Sequence, residues 1–202
     1  MTRSTILVMS RKSLIFGVGV NDSPYPIFSN GKVDKTYEIW HSMLRRCYSK
    51  VYHSTKPTYI GCSTSEDFKF FTRFEKWANE QKGFGNNCWH LDKDLLVDDN
   101  REYCAERCVF VPSELNMLFL RGAKNRADNG LPIGVSFKSA NKKYVAQCRV
   151  NGVEKHLGLF SSIDLAKQVY DNAKKEEVIR IITKFEDQLD ERVVQKLLNT
   201  YT

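Results

Sequence analysis

The dipeptide Asn151-Gly152 is the tightest constraint on how this chain can fold. Both residues tolerate positive φ, so a loop of this kind closes a β-hairpin whose turn matches the twist of its strands. The flanking residues, 144–150 and 156–160, read as the two arms, and residues 133–137 supply a further strand. Ser161, Ser162 and Asp164 then start a helix. Its apolar face is Leu165, Ala166, Val169, Tyr170 and Ala173, extending toward Ile182. Three strands and a helix are therefore expected after residue 131.

Charge gathers on that segment. The chain carries a net +7 with pI about 9.1, a balance that permits nucleic-acid binding without proving it. Between residues 121 and 160, eight Lys and Arg stand against only Asp128 and Glu154, whereas acids and bases nearly balance beyond residue 160. The excess falls on a polar linker, residues 121–130, and on the strands after it, where a DNA-facing surface is expected.

The remaining organisation follows from periodicity. With 202 residues, 42% of them hydrophobic and 12% aromatic, the chain has material for one large folded domain or two small ones. Residues 1–34 interleave turn formers (Asn21, Asp22, Ser23, Pro24, Pro26, Asn30-Gly31) with short β-prone runs, as in an irregular or β-rich arm. Tyr37, Trp40, Met43, Leu44 and Cys47 recur at helical spacing and predict a helix over 35–49 with Arg45 and Arg46 on its flank. Ser65-Glu66-Asp67 caps a second helix carrying Phe68, Phe71, Phe74, Trp77 and Ala78, a stripe that reads as core rather than as a base-stacking platform. Residues 83–87 break it. A strand is expected over 89–97, a loop at 98–100, a returning strand at 108–111 and a helix opened by Pro112-Ser113-Glu114. The tail, 185–201, is helical again through Leu189, Val193, Leu197 and Leu198, either as a lid on the C-terminal core or as a dimerisation stripe.

No apolar run approaches the roughly 20 residues needed to cross a bilayer. The short apolar stretch near residue 6 ends at Arg11 and Lys12 with no small-residue cleavage site, so no signal peptide is expected. A cytoplasmic protein follows as the expectation, with Cys47, Cys62, Cys88, Cys104, Cys108 and Cys148 as reduced thiols.

Two resemblances combine these observations. Residues 36–119 resemble the HNH homing-endonuclease-like proteins of bacteriophages, through Tyr37-Glu38-Ile39-Trp40, Met43, Arg46-Cys47-Tyr48, Tyr59, Trp77, Leu91-Asp92-Lys93-Asp94, Tyr103, Cys108-Val109-Phe110-Val111-Pro112 and Asn116. Residues 131–182 resemble an AP2-type DNA-binding domain, through Gly134-Val135, Tyr144-Val145-Ala146, Leu157-Gly158-Leu159-Phe160, Ala166, Tyr170 and Ala173. The implied α+β fold is a ββα-metal (HNH-like) domain over 35–120, preceded by the arm 1–34. It is followed by the linker 121–130 and by an AP2-like three-stranded antiparallel sheet packed on a helix over 131–202. A phage or mobile-element origin and a bacterial host cytoplasm are implied with it.

By that resemblance Asp92 and Asn116 occupy the metal-ligand positions, Asn100 is the loop asparagine that braces the site, and Lys93 stands where the general-base histidine belongs. Oxygen ligands favour magnesium or manganese over zinc. A lysine holds its proton until about pH 10.4 when unperturbed, against about 6.5 for histidine, and a fixed positive charge weakens a neighbouring cation site. Loss of general-base help costs roughly 10²- to 10⁴-fold in rate. His90, two residues from Asp92 on the same strand face, is a candidate substitute base, though a structural or partly exposed histidine is the expected reading. Cleavage is therefore expected to be weak or lost.

The AP2-like part implies double-stranded DNA as partner, read by the outward side chains Lys138, Lys143, Gln147, Arg149 and His156. Glutamine matches adenine edges and arginine guanine edges, while Lys138, Lys142 and Lys143, with Arg121, Lys124 and Arg126 of the linker, suit phosphates. A solvated charged face is the competing reading. Cys104 and Cys108 lack two further ligands at convincing spacing for a closed zinc site.

Three functions remain in order. The first is a sequence-specific DNA-binding protein derived from a homing endonuclease and acting as a transcriptional repressor. It needs no cofactor to bind and admits a homodimer through the last helix. The second is an active magnesium-dependent HNH endonuclease. The third is an RNA- or protein-interaction module with an incidental basic sheet.

Overall fold

The computed structural model describes residues 13–120 and 130–201. In chain order the elements are β1 (Phe28–Ser29), β2 (Lys32–Val33), α1 (Lys35–Tyr48), α2 (Lys50–Thr55), β3 (Ser63–Thr64), α3 (Phe71–Asn79), β4 (Trp89–Asp92), β5 (Glu102–Tyr103), β6 (Val109–Pro112), α4 (Ser113–Leu120), β7 (Val135–Lys138), β8 (Lys143–Val150), β9 (Val153–Phe160), α5 (Ile163–Lys184) and α6 (Glu191–Tyr201). The architecture is mixed α+β with four small sheets among the described residues. No described helix is long and apolar enough to cross a membrane.

Two compact units divide the chain, residues 1–80 with 97–108 and residues 81–96 with 109–202. These boundaries differ from the segments expected at 35–120 and 131–202.

The first unit is built around α1. Asp34 caps it by accepting from Tyr37 N at 2.9 Å. Ser49 ends it and, through its side chain, caps the unforeseen short helix α2. Trp40 is fully buried and donates its Nε1–H to Phe68 O at 2.8 Å, so the ring's one polar atom is satisfied inside the core. Phe68, Phe71 and Phe74 surround it as expected of core. Their segment is not one helix, however. A 3₁₀ turn over Asp67–Lys69 is followed by Phe70 in extended conformation, and α3 starts only at Phe71. The N-terminal arm causes the break: Val20 N donates to Lys69 O and Phe71 N to Val20 O. Asp22 then supplies the cap that Phe70 cannot, accepting from Thr72 N at 2.9 Å and from Thr72 Oγ1. Arg46, expected on an open flank beside Arg45, is half-buried, with its Nη1 3.4 Å from Tyr103 Oη.

The second unit contains β4 paired antiparallel with β6 in the register Leu91↔Phe110 and Asp92↔Val109, followed at once by α4. The expected strand over 89–97 stops at Asp92. There the Asp92 carboxylate accepts from both Asp94 N and Leu95 N at 2.8 Å, bending the backbone out of the ladder. Further along, β7, β8 and β9 form an antiparallel sheet in that order, backed by α5. Asn151 and Gly152 have φ +51° and +76°, as their two-residue turn requires. Ser162 caps α5, accepting from Leu165 N at 3.3 Å.

Helix α5 has 22 residues and is about 33 Å long, enough to serve two cores. Its first half packs Ala166 and Tyr170 against Val135, Ala146 and Phe160 of the sheet. Its second half contributes Val178 and Ile181 to a cluster with Val109, Val111, Leu115 and Leu118 of β6 and α4. Leu189, Val193 and Leu197 complete that second cluster. The stripe of α6 is thus spent inside its own unit, on the β6–α4 core. It is neither a lid on the sheet core nor an open homodimer face. Leu165, assigned to the apolar face, is 48% exposed; the helix turns it away from the sheet.

Candidate nucleic-acid interface

Strand alternation and cross-strand register decide which side chains share a sheet face. Val135, Ala146 and Phe160 point to α5. Residues one step away along each strand therefore face outward. On β7 these are Ser136 and Lys138, and on β8 Lys143, Val145, Gln147 and Arg149. A register shift between Ala146 and Gln147 adjusts β9 so that His156 lies opposite Gln147 and Glu154 opposite Arg149. Lys138, Lys143, Gln147, Arg149 and His156 thus stand together on one face. Lys142 sits in the β7–β8 connection with φ +51° and is exposed. Arg121, Lys124 and Arg126 lie outside the described residues.

Arg149 is half-buried, and its Nε is shielded from solvent with no hydrogen bond to a described residue. Glu154 lies directly across from it, a pairing that charge counting alone does not reveal. A two-residue Asn-Gly loop pairs Val150 with Val153 and hence Arg149 with Glu154, so the register held that signal. The neighbouring acid offsets part of the positive charge of this face.

The sheet's position depends on two polar groups in α5 that periodicity did not single out. Glu177 is 3% exposed and accepts the Asn151 N–H at 2.8 Å, which fixes the hairpin to the helix. It also pairs with Arg180, which bridges to Glu114 of α4. Lys174 is 6% exposed; it donates to Leu118 O near the end of α4 and lies over the Phe119 ring at 4.6 Å. Burial pulls its ammonium down to about 8, against the attraction of Cys148 and Glu177. Burial likewise pushes the Cys148 thiol up.

The presumed nuclease residues divide between the units. Asp92 ends β4, Lys93 follows it, and Asn116 is half-buried on α4, all in the second unit. Asn100 belongs to the first. There it is 6% exposed and holds its own loop: Nδ2 donates to Glu102 O at 2.7 Å, and Oδ1 accepts from Glu102 N at 3.1 Å. That is a bracing role, exercised on the β5 entry.

Asp92 accepts the backbone bonds from Asp94 and Leu95 both at Oδ1, so Oδ2 takes part in neither. Burial raises this carboxyl above the usual carboxylate range, the adjacent Asp94 adds to the rise, and the bonds from Leu95 and Asp94 with the charge of Lys93 oppose it. Lys93 is 6% exposed and its ammonium is ion-paired with Asp94. His90 is exposed on β4.

Cys104 and Cys108 are buried in one tight turn, Cys108 N donating to Cys104 O at 3.0 Å. Among the described residues no group of three or more His, Cys, Asp or Glu is arranged to hold a metal ion. Compared with protein-family models, with curated proteins and with solved structures, the chain gives no match.

Proposed function

We propose that this chain is a sequence-specific double-stranded DNA-binding protein of homing-endonuclease descent that holds its site without cutting it, in the manner of a repressor. One observation carries the reading: Lys138, Lys143, Gln147, Arg149 and His156 share the solvent face of a sheet whose other face is filled by α5. Bidentate donors for base edges stand on the central strand β8 toward the hairpin end and lysines at the β7–β8 end, a division that suits base readout beside phosphate contacts. The AP2-type resemblance supports the same surface.

Retention without cleavage is favoured by Lys93. With its side chain buried and tied to Asp94, the residue at the position that the resemblance gives to the general base is a lysine and not a histidine. An active nuclease is the second reading. It draws on the β4–β6–α4 order and on Asp92 Oδ2, where magnesium would find one oxygen ligand and Asn116 would have to supply another. Neither of these residues supplies a base.

Selection from a random-sequence duplex pool, with magnesium present, tests both readings. Enrichment of one sequence, recovered intact and lost with Arg149→Ala, is the expected result. Recovery without sequence enrichment refutes specific readout, and strand breaks abolished by Asp92→Ala refute the non-cutting assignment.

A further inference from the structure

Residues 39–65 contain Arg45, Arg46, Lys50 and Lys56 and not one Asp or Glu. In the first unit this stretch forms the end of α1, all of α2 and the 3₁₀ turn Pro57–Tyr59. Arg46 is withdrawn toward Tyr103, but Arg45, Lys50 and Lys56 are exposed. Arg45 lies over the Tyr52 ring at 5.0 Å, and Tyr59 packs on Tyr52 with centroids 5.7 Å apart, so the arginine is held at the α2 surface. Exposed Arg101 joins from the segment before β5. Its Nη1 donates to Thr58 O at 2.9 Å and to Ile60 O at 3.3 Å, bringing a fourth cation to the turn.

Three cations elsewhere in this unit are matched: Lys69 with Glu66, Arg73 with Asp67, Arg107 with Glu102. Arg45, Lys50, Lys56 and Arg101 form no salt bridge with a described residue. Each matched pair would relax if its acid were lost, whereas these four already hold a field of one sign.

We infer that the α1–α2 surface is a second DNA contact, one that grips the phosphate backbone of a duplex without reading its sequence. The choice of duplex DNA rests on the function proposed above; the cationic surface does not. Each phosphate neutralised releases counterions, so this surface steepens the salt dependence of binding and leaves base preference to the sheet.

Binding of the full chain to a random-sequence 30-bp duplex, followed from 50 to 300 mM salt, tests the assignment. The triple variant Arg45→Ala, Lys50→Ala, Lys56→Ala should flatten the slope of log K against log salt by about 2.7. It should leave the preference for a selected sequence unchanged. The milder pair Lys50→Gln, Lys56→Gln, both exposed, should flatten it by about 1.8. An unchanged slope in variants whose circular dichroism matches the parent overturns the second contact while leaving the sheet reading intact. If instead the slope falls as expected but sheet variants keep full sequence preference, the sheet reading fails and the second contact stands. Tighter capture of duplex RNA than of duplex DNA, lost in the triple variant, overturns DNA as the ligand, and so does failure to retain any duplex.

Discussion

Replacing Lys174 with methionine should make the protein more stable at neutral pH and less stable at high pH. In the folded chain the amine titrates near 8, against about 10.4 when unfolded. Below pH 8 both states are protonated, and the fold carries the whole burden of a buried ammonium, ~3 kcal/mol at 1.36 kcal/mol per unit. Between pH 8 and 10.4 the unfolded chain holds more protons than the folded one, so this site makes stability rise with pH. Methionine fills similar volume without charge and removes the burden. It also deletes the bond to Leu118 O, costing about 1–2 kcal/mol for a carbonyl left unmatched. The net expectation is a gain of ~1–2 kcal/mol at pH 7 and a loss of similar size at pH 10. Urea denaturation of parent and variant from pH 6.5 to 10 measures it. Subtracting the two curves removes most of the contribution of the cysteine and tyrosine groups that burial pushes upward, Cys148 and Tyr170 among them. A difference that stays flat across the range would refute the reasoning.

Three further outcomes are expected. Gly134→Ala should cost at least 2 kcal/mol or so in thermal unfolding, since the new Cβ would meet the Tyr170 ring at 2.0 Å and φ is +78°; a near-neutral variant would mean that Tyr170 does not pack there. Asp22→Ala should lower stability by about 0.5–2 kcal/mol through loss of the α3 cap, and hydrogen exchange should quicken at Thr72 before it does in the β7–β9 sheet. Removing divalent cations with EDTA should leave duplex retention unchanged, measured by fluorescence anisotropy, whereas a tenfold or greater loss would assign a metal to the bound state.

The parts of the fold governed by local chemistry were legible in advance. Asn151-Gly152 announced its turn, Ser162 its cap, and the spacing from Tyr37 to Cys47 the helix α1. Misreadings arose where distant chain intervened. Nothing near Phe70 says that Val20 will take its neighbours' hydrogen-bonding groups, so a continuous helix was the reasonable expectation. Residues 93–97 have strand-like composition, yet one Asp92 oxygen accepting two backbone bonds outweighs it. The stripe of α6 was legible as apolar; which surface covers it was not, because periodicity identifies a face and not its partner. For the candidate interface, alternation placed Gln147 and Arg149 together, and the hairpin register could have added Glu154. Lys174 and Glu177 escaped notice because a pattern built on apolar positions passes over charges that fold inward.

Helix α5 reaches from Ala166 beneath the sheet to Ile181 beneath β6, and this span governs how the second unit can come apart. A chain ended between residues 121 and 129 would stop where the sequence looks most like a linker, yet Leu115 and Leu118 would be left without Val178, Ile181, Leu189, Val193 and Leu197. The strand that ends in Asp92 and the sheet that carries Arg149 should therefore melt as one cooperative body. Natural recombination or protein engineering that transplants residues 131–202 as a cassette would carry away half of another core and leave an apolar wound on both pieces. Within the second unit, what looks in sequence like a tether joins two parts that share one core.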